Sequence, residues 1–161
     1  MQLSPLTAIS PVDGRYHKAT EQLAAYFSEY ALIRYRLHVE VEYFIFLGEK
    51  KFFKNNIKLN NQLRQLVNEF SIEDATVIKN TEAITNHDVK AVEYFLKEKL
   101  EIGGAAAVKE WVHFGLTSQD INNTAIPMLW KDAVEQEYLP GLINLQHHLY
   151  KLAQQWEQVP M

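Results

Sequence analysis

The sequence predicts an all-α protein, in which an irregular N-terminal helical domain precedes the first helices of a long helical bundle. Three observations support this fold class. Apolar residues recur at intervals of three and four, helix-capping residues precede several of these patterns, and no segment alternates apolar and polar residues as a strand does. We place the domain boundary after residue 114, so that residues 1–114 form the first domain and residues 115–161 begin the second.

The chain begins with a segment, residues 1–18, that is predicted to be irregular because prolines and a glycine interrupt it. Within it, Asp13-Gly14 predicts a turn that presents Arg15 and Tyr16. An arginine can bind a carboxylate or a phosphate through two parallel hydrogen bonds. Taken alone, this pair is more simply explained as a solvated arginine beside a packing tyrosine.

A long helical pattern occupies residues 20–48, either as one helix or as two helices that join near Phe27-Ser28. The stretch 49–61 carries lysines between aromatic residues, an arrangement that can bind single-stranded nucleic acid. Because the stretch is short and the protein is acidic, we interpret it as a solvated connection. A short amphipathic helix is predicted next, over residues 62–70.

Three later helices are predicted from a hydroxyl residue followed three positions on by an acid, a pattern typical of helix N-termini. These pairs are Ser71 with Asp74, Thr85 with Asp88, and Thr117 with Asp120. The second of these helices is predicted to end before Gly103-Gly104.

The last third of the chain is also predicted to be helical. Residues 105–114 form a helix, and a longer helix follows. In that longer helix, Pro127 should introduce a kink and Pro140-Gly141 should end the helix. A final helical pattern occupies residues 142–156.

The composition excludes several function classes. With 47% hydrophobic and 22% charged residues, the 161-residue chain is typical of a soluble globular protein. Its net charge of -4 provides no basic field, so we expect no nucleic-acid partner. It contains no cysteine, no apolar run near the ~20 residues of a membrane helix, and no secretory signal pattern at its start. We therefore expect a cytoplasmic protein without a membrane partner.

The densest group of chemically active side chains is Asn86, His87, Asp88 and Lys90. The predicted cap at Thr85 places the first three in the first turn of a helix, where N–H groups are free and the helix dipole is positive. Polar residues at a helix start are most often only caps, and capping accounts for Thr85 and Asp88. It does not account for His87 or Lys90, which could add charge or transfer a proton.

A second helix start, at Thr117-Ser118, has the same character, since the Ser118 hydroxyl and N–H would lie in its first turn. Here too, a simple cap is the more economical explanation of the pair taken alone. Together with Arg15 and the helix start near His87, however, this second start would suit a ligand with several negative groups. The sequence pattern leaves open whether the three features converge.

The segments Ser10–Tyr16, Thr85–Tyr94 and His113–Asn123 closely resemble three motifs of the adenylosuccinate lyase family, which belongs to the fumarase/aspartase superfamily. The resemblance implies cleavage of adenylosuccinate to AMP and fumarate, and the corresponding cleavage of the succinylated aminoimidazole carboxamide ribotide. Both reactions are β-eliminations in purine biosynthesis. The resemblance also implies a nucleotide substrate, no metal, no cofactor, and a homotetramer with active sites shared between subunits.

The resemblance implies a substrate-binding role for eight residues: Arg15, Tyr16, Asn86, His87, Asp88, Lys90, Thr117 and Ser118. The turn residues would contact the phosphate end of the substrate, and the second helix start would hold its succinyl or phosphate oxygens. His87 would bind and orient the substrate, in a supporting rather than a main catalytic role. Lys90 would add a positive charge.

In the family, the general acid/base histidine and the serine base lie in later motifs that this chain does not contain. We therefore expect the chain to be an N-terminal part of such a lyase, without a main catalytic residue, and to be inactive alone. Two alternatives remain open. One is another fumarate-releasing lyase, such as argininosuccinate lyase or fumarase, and the other is a non-enzymatic helical interaction module.

Overall fold

The structure is a computed structural model that describes residues 4, 6–54 and 56–160. These residues form helices and turns without any strand, which confirms the predicted all-α class. The predicted irregular start includes residues 1–3 and 5, and the predicted connection includes residue 55. These positions lie outside the described residues.

Short helical turns come first and longer helices follow. In chain order the elements are α1 (His17–Thr20), a 3₁₀ turn (Glu21–Leu23), α2 (Ala24–Phe27), α3 (Glu29–Glu49), α4 (Ile57–Asn68), α5 (Ile72–Thr85), α6 (Asp88–Ile102), a 3₁₀ segment (Ala106–Trp111), α7 (Ser118–Ala133), a π-helical turn (Val134–Tyr138) and α8 (Leu139–Trp156). The predicted order of the longer helices is confirmed, whereas several boundaries differ.

The helical pattern over residues 20–48 is interrupted at Ser28, as one of the two predicted arrangements requires. The Ser28 backbone is extended, and its side chain accepts a hydrogen bond from the Ala31 N–H at 3.1 Å, which caps α3. From this start, α3 presents a buried apolar stripe to the core: Ile33, Leu37, Val41 and Phe44.

The helix α4 begins at Ile57 rather than at residue 62, because Asn56 caps it. The Asn56 side chain accepts hydrogen bonds from the N–H groups of Lys58, at 3.0 Å, and Leu59, at 3.4 Å. The first turn of α4, which we interpreted as part of a solvated connection, is therefore helical.

The predicted capping box at the start of α5 is confirmed. The Ser71 side chain accepts from the Asp74 N–H at 3.1 Å, and the Asp74 carboxylate accepts from the Ser71 N–H at 3.2 Å. Lys99 of α6 donates to the same carboxylate at 3.1 Å. Burial would raise the pKa of Asp74, but the Lys99 ammonium and the Ser71 donors outweigh it and lower that pKa.

The predicted cap at Thr85 is wrong. Thr85 is the last residue of α5, and its hydroxyl donates to the Thr81 carbonyl at 3.0 Å. Asn86 then adopts a left-handed conformation, with φ 52°, and ends α5. His87 caps α6 instead, so that Asp88 is its first residue. The pattern misled because α5 continues through the threonine until a left-handed residue stops it.

Residues 105–114 form a shorter and tighter element than the predicted helix. Its 3₁₀ turns extend only over Ala106–Trp111. Two residues with positive φ follow, His113 at 59° and Gly115 at 73°. Because a left-handed residue cannot continue a right-handed helix, the chain changes direction here before α7 begins.

Proline does not end the C-terminal helices where we predicted. The helix α7 begins at Ser118, as predicted, and passes through Pro127. The π-helical turn and α8 then follow directly, so the prediction that Pro140-Gly141 ends the helix is wrong. Pro140 lies in the first turn of α8, directly after the π-helical turn, so the residue that cannot donate a hydrogen bond adjoins the place where the helical hydrogen-bond pattern changes.

The described residues divide into two compact units. One extends from Phe27 to Leu129 and contains the main hydrophobic core, to which α3, α4, α5 and α6 contribute their apolar faces. The other comprises the chain up to Tyr26 together with the chain from Trp130 onward. The domain boundary predicted after residue 114 stays a prediction.

The helix α8 is exposed along its 18 residues, apart from the half-buried Leu152. About half of the surface of each exposed large apolar residue of α8 is accessible, and these residues are Leu139, Leu142, Ile143, Leu145, Leu149, Tyr150 and Trp156. A surface helix ordinarily keeps such residues on a covered face. Within residues 4, 6–54 and 56–160, no helix combines the length and the apolar content needed to cross a membrane.

Replacing Ser71 with alanine should lower the free energy of unfolding by about 1 kcal/mol, because the Asp74 N–H loses its acceptor at the start of α5. Urea unfolding followed by circular dichroism measures this change. Thr76→Ala in the same helix is the matched control. The Thr76 hydroxyl donates to the Ile72 carbonyl, a bond that α5 does not need, so its loss should be neutral or slightly stabilising. Equal destabilisation by both changes would contradict the capping role.

Candidate functional site

His87 occupies the N-cap of α6. Its backbone is extended, with φ -150° and ψ 110°, and its Nδ1 accepts a hydrogen bond from the Lys90 N–H at 3.1 Å. A ring nitrogen that accepts carries no proton, so the neutral imidazole has its proton on Nε2. The cap therefore fixes the tautomer of His87 and leaves an N–H donor on the opposite side of the ring.

The Nε2 atom of His87 lies 3.4 Å from Oγ of Ser118, the first residue of α7. His87 is exposed and Ser118 is half-buried. The structure thus brings together two of the three features singled out from the sequence, an imidazole N–H at one helix start and a hydroxyl at another. The N–H groups and positive dipole ends of two helices favour an anion at such a position.

Thr117 directly precedes α7 and is held by Asp120 in the first turn of that helix. Its N–H and its hydroxyl both donate to the Asp120 carboxylate, at 2.7 and 2.8 Å. These two donors hold the pKa of Asp120 below its usual value. Ser118 is consequently the hydroxyl that faces His87, and the substrate contact of Thr117 stays a prediction.

Both carboxylate oxygens of Asp88 have partners. Oδ1 accepts from the Val89 N–H at 2.8 Å, and Oδ2 lies 2.7 Å from a terminal nitrogen of the Arg36 guanidinium. Burial would raise the pKa of Asp88, but the Val89 N–H and the Arg36 charge outweigh it and lower that pKa. The negative charge of Asp88, which lies next to His87, is therefore offset by the positive charge of Arg36.

Arg36 is a residue of this site that the sequence analysis missed. It lies on α3, is only 6% exposed, and donates from Nε to Oδ1 of Asn122 in α7 at 2.9 Å. One side chain therefore contacts both the start of α6 and the start of α7. The sequence did contain a signal that could have identified Arg36. It is a charged residue beside Ile33 and Leu37, on the buried face of a helix, where charged side chains are rare unless they are paired.

Lys90 forms an ion pair within α6. Its Nζ lies 2.7 Å from a carboxylate oxygen of Glu93 and 5.4 Å from the centroid of the Tyr94 ring. The hydrogen bond to Glu93 raises the pKa of Lys90, so the ammonium group stays charged. The charge of Lys90 is thus shared with Glu93, and its contribution to substrate binding stays a prediction.

A buried acid, Glu40 of α3, contacts His113 in the segment that leads to α7. The His113 Nδ1 lies 2.5 Å from Glu40 Oε1, and its Nε2 lies 3.8 Å from Glu93 Oε1. Among the described residues, Glu40 Oε2 has no hydrogen-bond partner. Burial raises the pKa of Glu40, with His113 opposing the shift and Glu93 adding to it. In the described part of the chain, no three His, Asp or Glu side chains are placed to hold a metal ion.

The remaining predicted site residues have local contacts. Asn86 is exposed at the end of α5, and its N–H donates to the Glu82 carbonyl at 2.7 Å. Arg15 and Tyr16 belong to the unit formed by the two ends of the chain. A terminal nitrogen of Arg15 donates to the Tyr16 hydroxyl at 2.8 Å, and the guanidinium lies 4.7 Å from the ring centroid. Substrate binding by these three residues stays a prediction.

Residues 14–161 of this all-helical chain match the family whose members are described as lyases, and the chain belongs to that family. It is 48% identical to the adenylosuccinate lyase of Dictyostelium discoideum, 43% identical to that of Escherichia coli strain K12, and 42% identical to that of Buchnera aphidicola. These alignments cover 100% of the chain and 36% of each relative, so the chain spans little more than a third of the curated relatives that it matches. The resemblance carried by the three motifs is confirmed.

The contribution of Glu40 to the free energy of unfolding should fall as the pH rises above 4.5, and Glu40→Gln should remove that contribution. Because the pKa of folded Glu40 is raised above its ordinary value of 4.5, the folded state binds more protons than the unfolded state at such pH values. Stability is therefore lost as the pH rises through the folded-state pKa. Glutamine does not ionise and has no such dependence. Urea unfolding of both proteins at several pH values measures the difference.

Glu42→Gln is the control for this experiment. Glu42 lies on the same helix but pairs with Arg64, and the hydrogen bond from Arg64 lowers its pKa below 4.5. Its contribution is lost only as the pH falls, so above 4.5 this variant should run parallel to the unaltered chain. Parallel profiles for the unaltered chain and Glu40→Gln would contradict the raised pKa of Glu40.

Proposed function

We propose that this chain is the N-terminal part of an adenylosuccinate lyase, which eliminates fumarate from adenylosuccinate to give AMP and from the succinylated aminoimidazole carboxamide ribotide in purine biosynthesis. The observation that carries the proposal is the alignment of the full chain with three adenylosuccinate lyases, and the 3.4 Å approach of His87 Nε2 to Ser118 Oγ at two helix starts gives it a place for an anion. The named relatives support this substrate over argininosuccinate or malate, since each is an adenylosuccinate lyase that aligns with the full chain.

The proposed reaction is a β-elimination. A base removes a proton from the carbon beside a carboxylate, the C–N bond breaks, and its electron pair stays on the nitrogen, which an acid then protonates. A carbon–carbon double bond forms in the product fumarate. We assign neither proton transfer to a residue of this chain and give His87 a supporting role, because its Nε2–H is placed to donate to a bound group.

The substrate carries one phosphate and two carboxylates, so its binding residues must supply donors and positive charge. His87 supplies an N–H, Ser118 supplies a hydroxyl, and the dipoles of α6 and α7 favour the anion. Lys90 adds an ammonium group that Glu93 shares. The negative charge of Asp88, which would oppose the substrate, is offset by its ion pair.

We propose substrate-binding roles for the other predicted residues as well. Arg15 would form two parallel hydrogen bonds with the phosphate, and the Tyr16 hydroxyl would align the guanidinium. Asn86 would offer a side-chain amide beside His87. Thr117 would contribute its hydroxyl to the succinyl or phosphate oxygens by exchanging its present acceptor for the substrate.

We propose further that the whole protein is a cytoplasmic homotetramer in which neighbouring subunits complete each active site. The exposed apolar side chains of α8 support such an assembly, because surfaces of this kind are ordinarily covered by another protein surface. A small-molecule nucleotide, rather than a nucleic acid, suits the net charge of -4.

The 161-residue chain alone should release no fumarate from adenylosuccinate, whereas the full-length protein should convert that substrate. Ultraviolet absorbance follows the reaction. Argininosuccinate and malate are the comparison substrates, and the full-length protein should leave both unchanged. Rapid turnover by the 161-residue chain would contradict the proposal that the residues for both proton transfers lie outside it. Faster conversion of argininosuccinate or malate would favour the alternative lyases.

Replacing His87 with asparagine should reduce kcat/KM of the full-length protein by at least about tenfold. Asparagine is an effective N-cap, so α6 keeps its start, but the Nε2–H donor is lost. A hydrogen bond to a charged group contributes about 1.5–3 kcal/mol, which sets the size of the effect.

Thr81→Ala is the control for this substitution. The Thr81 hydroxyl donates to the Val77 carbonyl within α5 at 3.1 Å, so its removal should change kcat/KM little. If His87→Asn retained full activity in a folded protein, His87 would have no role in substrate binding.

A further inference from the structure

We propose that Arg36 is a positioning residue that keeps His87 in the Nε2–H tautomer and keeps it beside Ser118. Arg36 acts through the neighbours of these two residues. A terminal guanidinium nitrogen lies 2.7 Å from Oδ2 of Asp88, the residue after His87, and Nε lies 2.9 Å from Oδ1 of Asn122. A single side chain of α3 thus joins the starts of α6 and α7.

Asp88 is the group that competes for the His87 ring. Its Oδ1 lies 3.8 Å from His87 Nδ1, beyond hydrogen-bond distance but within reach of a side-chain rotation. A carboxylate in contact with Nδ1 favours the tautomer with its proton there, and that tautomer cannot accept from the Lys90 N–H. Because Arg36 and the Val89 N–H hold its two oxygens, Asp88 is kept away from the ring.

The chemistry of an arginine suits this role better than that of a lysine. A guanidinium is planar, always charged, and directs its donors along fixed lines toward two acceptors at once. The Arg36 side chain is only 7% exposed, so water competes little for these contacts. Asn122 follows Ser118 by one helical turn, so an anchor at Asn122 also fixes the turn that carries the Ser118 hydroxyl.

The tautomer of His87 can change when Arg36 no longer holds Asp88. The ring exchanges its proton from Nε2 to Nδ1 through solvent, Asp88 accepts a hydrogen bond from the new Nδ1–H, and an unprotonated Nε2 then faces Ser118. Such a nitrogen repels the oxygen of a phosphate or carboxylate, where an N–H would bind it. This inference rests on the proposed function only for its effect on substrate, since the tautomer and the contact with Ser118 are properties of the unliganded protein.

Long-range ¹H–¹⁵N NMR spectra of the histidine rings test the proposal in the 161-residue chain at about pH 8, above the ordinary titration range of histidine. The unaltered chain should show His87 with a protonated Nε2 and an unprotonated Nδ1. Arg36→Lys keeps the charge but loses the fixed donor geometry, and it should shift His87 toward the Nδ1–H tautomer. Arg64→Lys is the matched control. Arg64 is an exposed arginine that binds both carboxylate oxygens of Glu42, and its replacement should leave the His87 signals unchanged.

The second variant removes the competing carboxylate. Adding Asp88→Asn to Arg36→Lys should restore the Nε2–H tautomer, which a general loosening of the fold would not do. The proposal is overturned if folded Arg36→Lys retains the tautomer of the unaltered chain, or if Asp88→Asn fails to restore it.

Asn122→Ala tests the second contact, and it does so even if Arg36→Lys does not fold. This change leaves the pair between Arg36 and Asp88 in place, so His87 should keep its tautomer. The nuclear Overhauser contact between the His87 ring and the Ser118 side chain should disappear. Its persistence would overturn the positioning role toward Ser118. Because nucleotide is absent from these measurements, their outcome is independent of whether the full-length protein turns over adenylosuccinate.

Discussion

The arrangement of the candidate site depends on the need to satisfy one buried guanidinium. A buried charged group is stable only if it is paired with an opposite charge or hydrogen-bonded. The partners of Arg36 lie on two other helices, where Asp88 forms an ion pair with it and Asn122 accepts a hydrogen bond. Meeting that requirement fixes where α6 and α7 begin relative to α3. Glu40, one turn further along α3, is also buried and needs a polar partner. Its contact with His113 therefore fixes the position of the segment before α7. The polar residues of α3 thus determine the geometry of a site to which α3 contributes no predicted ligand.

Local patterns were sufficient to predict much of the fold. The all-α class and the capping box at Ser71 depend on residues within four positions of one another, which a sequence displays directly. The Ser28 cap is equally local, but the sequence left open whether the helix is interrupted there. The predictions at Thr85 and Pro140 failed because each depended on the preceding helix. In the first case α5 continues through the expected cap, and in the second a π-helical turn leads directly into a helix that accommodates the proline in its first turn.

The candidate site was predictable only in part, for a different reason. His87 and Ser118 were identified because each lies in a short polar motif at a helix start. Arg36 and Glu40 carry no motif, so their role became visible only once the helices were packed. Asn122 lies 86 positions beyond Arg36, and His113 lies 73 positions beyond Glu40. The sequence also could not show that a capping bond made by the His87 ring would decide which of its nitrogens bears the proton.

The two-residue junction between α5 and α6 narrows the choice of amino acid at position 86. Its backbone has φ 52° and ψ 35°, a conformation that most side chains resist and that glycine, asparagine and aspartate tolerate. The exposed side chain is at the same time predicted to offer an amide to a ligand. Glycine would meet the first demand and glutamine the second, whereas asparagine meets both. Since no further residue lies between Asn86 and His87, a replacement that resists this backbone conformation would displace the imidazole directly, with no loop to absorb the change.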